Sequence, residues 1–86
     1  MPAMPDAQVY SEQSEVLRQG GQVDAAQRCA ERCLEVAKQG GEIEQEAAAQ
    51  LLKGQVLREA GKYLDAVAAY KEHLQVGLVA KAKDPV

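Results

Sequence analysis

The sequence predicts an all-α chain: two tandem helix–turn–helix repeats, whose four antiparallel helices form a segment of an α-solenoid. Three observations carry that prediction. Apolar residues recur at intervals of three and four through most of the 86 residues, which is the spacing of one face of an α-helix. Glycines stand where those stripes stop, at Gly20-Gly21, Gly40-Gly41 and Gly61, as they do where a helix ends and the chain turns. The second half of the chain is also a diverged copy of the first.

Pro2 and Pro5 keep residues 1–6 extended, and Asp6 is placed to cap the first helix. Val9, Tyr10, Gln13, Val16 and Leu17 follow at helical spacing until Gly20-Gly21. The second stripe is Val23, Ala26, Ala30, Cys33, Leu34 and Ala37, ended by Gly40-Gly41. A third helix runs from about Glu42 to Ala60 and is apolar on two sides: Ile43, Ala47, Leu51 and Leu57 on one, Ala49, Leu52, Val56 and Ala60 on the other. Such a helix is expected to lie packed between neighbours. After Gly61, the fourth stripe is Tyr63, Ala66, Val67, Tyr70, Leu74, Gly77 and Leu78. It continues to about Ala82, and Asp84-Pro85 stops it.

Shifting the chain by forty residues superposes Ala7 on Ala47 and Val16-Leu17-Arg18 on Val56-Leu57-Arg58. It also superposes Gly21 on Gly61, Ala26 on Ala66, Leu34 on Leu74 and Val36 on Val76. These eight identities fall on turn glycines, small contact residues and core leucines, which is the signature of a repeated supersecondary unit. Repeat one is expected over 7–46 and repeat two over 47–83, leaving 84–86 as a tail.

Composition excludes several classes. There is no Trp or Phe, and the only aromatic residues are Tyr10, Tyr63 and Tyr70, so the core must be made of Ala, Leu, Val and Tyr. A domain of this size buries only about 60–65% of its unfolded surface, and closely spaced helices suit such small residues. The net charge of −3 argues against nucleic acid, because phosphate binding needs a basic face. No apolar run reaches the ~18–20 residues of a membrane span. The start, MPAMPDAQ, lacks the basic flank and apolar centre of a signal peptide, so a cytoplasmic protein is expected.

No catalytic, cofactor-binding or metal site is expected. Cys29 and Cys33 lie one helical turn apart, in parallel, a poor geometry for a disulfide. As a metal half-site they would need two further ligands, and the chain offers one His and no further Cys. They read as two reduced thiols, at least one of them in the core. His73, the counterpart of Cys33, reads as a structural histidine in the last helix. The glycine pairs follow helices rather than strands, so they do not form a phosphate loop.

At this point the sequence resembles the tetratricopeptide repeat family, over about residues 7–83. Gly54 stands where that family places a small residue in the first helix of the pair, and Leu57 stands at the aromatic position three residues on. Gly61 is the turn glycine, and Ala66 followed by Tyr70 matches the small-then-aromatic pair of the second helix. Gly54 and Ala66 are then small because the paired helices approach closely there, which offsets the ~1 kcal/mol that Gly loses to Ala in a helix. In repeat one Tyr10 fills the large aromatic position, and Gly21 and Ala26 fit. Ser14 replaces the small Gly, however, and Ala30 replaces the aromatic. Gln50 and Lys53 replace large apolar residues, and the family's closing Pro is missing from both units. Each unit is about six residues longer than the 34-residue standard. The extra length is similar to that of the long-repeat branch of spindle-orientation scaffolds and, more loosely, kinesin light chains.

The resemblance implies a non-enzymatic protein–protein interaction module, in which the first helix of each pair lines a concave groove for a partner's peptide or helix. By the forty-residue register the groove residues are Gln8, Ser11, Glu15 and Arg18, with Ala48, Leu51, Gln55 and Arg58 as their counterparts. Arg18 and Arg58 would offer two guanidinium forks to an acidic segment, and Leu51 an apolar anchor. The opposing reading leaves both arginines solvated or paired with Glu15 and Glu59. The Lys and Asn set of the family's chaperone-tail clamp is missing. Two units are fewer than the three a solenoid usually needs, so the alternative function is self-association through the exposed end.

Overall fold

The computed structural model describes residues 7–83. The expected extension of residues 1–6, the Asp6 cap, the Asp84-Pro85 stop and the tail lie outside the described residues. Four helices follow one another: α1 (Ala7–Gln19), α2 (Val23–Gln39), α3 (Ile43–Glu59) and α4 (Tyr63–Lys83). There is no strand among the described residues.

All three connections are one motif used three times. Gly21, Gly41 and Gly61 carry φ values of 81°, 67° and 79°. Their N–H groups donate to the carbonyls of Arg18, Lys38 and Arg58, and the next residues, Gln22, Glu42 and Lys62, donate to Leu17, Ala37 and Leu57. This pair of bonds is the Schellman closure, which satisfies carbonyls that the end of a helix leaves over. The carbonyls of Gln22, Glu42 and Lys62 then accept from Ala26, Glu46 and Ala66, so the next helix starts at once. An L side chain in the left-handed region costs about 1–2 kcal/mol. Gly61→Ala is therefore expected to lose about that much, read as a lower urea midpoint at unchanged slope; an unchanged midpoint would show that the turn tolerates a side chain. Position 81 is Lys, and there α4 runs on to Lys83, 21 residues against 17 in α2 and α3.

Each helix packs on its neighbours in sequence: α1 on α2, α2 on α3, α3 on α4, with a smaller contact between α1 and α3. The two-sided helix α3 lies in the middle. Toward α2 its Leu52 and Val56 bury against Ala26 and Ala30, with Leu17 and Val23 at the edge. Nearby, Ala49 joins Ala7, Cys33, Leu34 and Ala37. Toward α4, Leu57 packs with Ala66, Ala69 and the ring of Tyr70.

Gly54 is needed by that ring. A Cβ at Gly54 would lie 2.6 Å from Tyr70 Cε1, so the close neighbour is Tyr70 rather than Ala66. Repeat one solves the same contact with the sizes exchanged. Ser14 replaces the glycine, Ala30 replaces the tyrosine, and the buried Ser14 hydroxyl donates to the Ala26 carbonyl at 2.7 Å. A second polar contact also repeats. The Cys33 thiol donates to the Ala7 carbonyl at 3.1 Å. Its counterpart His73 places Nδ1 2.7 Å from the Ala47 carbonyl, where the ring nitrogen must be the donor.

The apolar stripe expected on α4 is present but mostly uncovered. Only its Ala66 side is buried, with Ala69 beside it, while Tyr63, Val67, Leu74 and Leu78 are exposed, as is Leu64. The reason is positional: α3 covers one side of α4, and no described helix covers the other.

Candidate functional site

α1 and α3, the first helices of the two pairs, lie side by side and bring part of the expected groove together. Gln8 and Ser11 of α1 face Ala48 of α3 across an apolar pocket, lined also by Ala7, Ala49, Gln45 and Cys33 of α2. The sequence places these residues there by register: the small Ala7, Ala48 and Ala49 leave space between the helices where larger side chains would fill it. Leu51, one turn along α3 from Ala48, is partly exposed, as an apolar anchor would be. Gln55 is half-buried one further turn on.

The two arginines are not equivalent. Arg18 donates through Nε and Nη2 to both oxygens of Glu15, at 3.2 and 2.7 Å, and through Nη1 to Glu59 at 2.8 Å. The hydrogen bonds to Glu15 and then to Glu59 raise its pKa, so the guanidinium stays charged and ties α1 to α3. Arg58 is exposed and makes no ion pair among the described residues. The repeat explains the difference: the counterpart of Glu15 is Gln55, which brings no carboxylate.

Gln45 escaped the sequence reading. Its Oε1 is buried and has no hydrogen-bond partner among the described residues, and the residue lines the pocket. A buried amide acceptor left without a donor is costly, and an incoming N–H would satisfy it once the Gln45 side chain turned toward the pocket. Helical periodicity marks Gln45 only as a polar residue near the start of α3, so the pattern held no signal of this.

Neither Cys29 nor Cys33 is in a disulfide, and Cys33 is in the core. Among the described residues no group of three or more His, Cys, Asp or Glu could hold a metal ion. No described helix is long and apolar enough to cross a membrane.

A family model described as tetratricopeptide repeat matches residues 6–77. No curated protein and no solved structure matches the chain.

Proposed function

The chain belongs to the tetratricopeptide repeat family, whose members serve in general as protein–protein interaction modules, and from that premise we propose that it is a non-enzymatic adaptor or scaffold holding a peptide or helix of a partner protein in the groove between α1 and α3. The observation that carries this reading is the apolar pocket between Gln8, Ser11 and Ala48, with Gln45 in its lining, whose buried oxygen has no partner among the described residues. An apolar side chain of the partner fills the pocket, and the Gln45 side chain turns to accept from a backbone or side-chain N–H beside it. Leu51 extends the apolar track toward Gln55 and Arg58. A carboxylate of an acidic partner segment pairs with Arg58. Arg18 reaches the partner only by giving up Glu15 or Glu59, so the acidic contact falls mainly on Arg58. A cytoplasmic location is part of this proposal, and the two reduced cysteines suit a reducing compartment.

The test is selection of binding peptides from a displayed random library on the immobilised chain, followed by affinity measurements on variants. Ala48→Glu fills the pocket with a charge and is expected to weaken a selected peptide at least about tenfold, or 1.4 kcal/mol. Arg58→Glu is expected to weaken peptides with an acidic residue and to spare those without one. Both positions are exposed, so circular dichroism should be unchanged. Affinities that ignore both substitutions would move the site away from this groove.

A second reading, self-association, is favoured by one observation: the uncovered apolar face of α4, with Tyr63, Val67, Leu74 and Leu78 exposed along one side of a helix.

A further inference from the structure

The uncovered face of α4 has a counterpart at the opposite side of the molecule, and the repeat register relates the two. At the junction between the repeats, α2 presents Val23, Ala26, Ala30 and Leu34, and α3 answers with Ala49, Leu52 and Val56. Forty residues on, the α2 positions become Tyr63, Ala66, Tyr70 and Leu74 of α4. Forty residues back, the α3 positions become Val9, Glu12 and Val16 of α1. The outer positions that are sealed inside the junction are open at its two flanks: Leu34 is 7% exposed and Val56 0%, whereas Leu74 is 65% and Val16 70%, while Ala66 and the ring of Tyr70 stay packed on α3. The molecule thus displays on α4 and α1 the two halves of an interface that it already makes once within itself.

We propose that the occupant of both faces is a second copy of this chain, docked head to tail, with α4 of one copy against α1 of the next. This rests on the self-association reading and gives it an orientation. Applying the junction's antiparallel register sets Leu74 on Val9 of the next copy. Tyr63 and Val67 then gather on its Val16, and Tyr70 comes beside its Glu12.

Charge selects this arrangement over a two-fold one. Helical register places Lys71 and Lys81 on the uncovered side of α4, with Asp65 and Glu72 on the opposite side. The open side of α1 carries Glu12 and no basic residue, since Arg18 turns away to Glu15 and Glu59. Two α4 faces brought together would oppose lysines, and two α1 faces would oppose glutamates. Only the head-to-tail contact brings a face carrying lysines to a face carrying a glutamate. Such a contact is heterologous, so each addition leaves one face of each kind open and growth does not stop at a dimer.

Sedimentation equilibrium of the whole chain, from micromolar to millimolar concentration, tests this with two variants. Val16→Glu blocks α1 and Leu74→Glu blocks α4. Both side chains are largely exposed in the single copy, so helicity measured by circular dichroism should hold. The wild type is expected to rise steadily from 9.3 kDa through twice that mass and beyond. Each variant alone stays at one chain mass. An equimolar mixture, in which the open α4 of one variant meets the open α1 of the other, reaches twice 9.3 kDa and stops there. A Val16→Glu variant that still dimerises would overturn the head-to-tail orientation while keeping self-association through α4. A wild type that stays at one chain mass throughout would overturn both, leave the faces to a different protein, and leave the groove proposal untouched.

Discussion

Replacing Gly54 by alanine is expected to destabilise the fold by about 1–3 kcal/mol, although alanine is the better helix former. Propensity alone would favour the change by about 1 kcal/mol. The new methyl would stand 2.6 Å from Tyr70 Cε1 and 2.8 Å from Cδ1, distances at which the ring must leave its place. It cannot move without opening the cluster of Leu57, Ala66 and Ala69 beneath it, and overpacking of this kind costs about 1–3 kcal/mol. For a domain of this size each kcal/mol lowers Tm by roughly 4–8 °C. Repeat one supplies the control, because there the large partner is already gone: the counterparts of Gly54 and Tyr70 are Ser14 and Ala30. In a double-mutant cycle with Tyr70→Ala, Gly54→Ala should do far less harm in the truncated background than in the wild type. Strict additivity would mean that the ring contact is not the reason for the glycine.

Leu52→Ala is expected to have the largest effect, about 2–5 kcal/mol. Leu52 and Val56 are the large side chains that α3 sends into the junction, and what they meet on α2 is Ala26 and Ala30. Alanines cannot reach across to refill the space, so the cavity stays. A loss of that size is a large share of the 5–15 kcal/mol that typically separates folded from unfolded. The junction is also what couples the two helix pairs. Urea unfolding followed by circular dichroism should therefore show a lower midpoint together with a shallower slope, as the pairs begin to unfold apart. A shifted midpoint with an unchanged slope would mean that the two repeats remain one cooperative unit without it. Leu74→Ala, on the uncovered face of α4, should change stability by less than about 0.5 kcal/mol.

The helices and turns were legible because each carries a local signature. Glycine is required where φ is positive, so Gly21, Gly41 and Gly61 mark the turns by themselves. The two apolar sides of α3 announced that it would be covered twice. Less was legible where the answer depends on what lies opposite. The stripe on α4 reads the same whether its own chain covers it or nothing does, since period reports a face and not its partner. Gly54 signalled a close approach, but the approaching group is a side chain sixteen positions away rather than the small residue of the next helix. At Arg18 both readings were open in the sequence, and the structure places Glu15 and Glu59 on the same guanidinium. The Gln45 oxygen was hidden altogether, because a glutamine near the start of a helix looks like solvated surface until its neighbours are in place.

The neighbour-to-neighbour packing of the four helices also governs how the chain finds its fold. α1 and α4 never meet, and the main contacts join helices separated by one short turn. None of the main pairings therefore waits for the closure of a long loop, whose entropy would have to be lost before any contact repaid it. Any of the three hairpins can form first and serve as the template on which the adjoining helix docks, so the route to the native state has several starting points and no obligatory one.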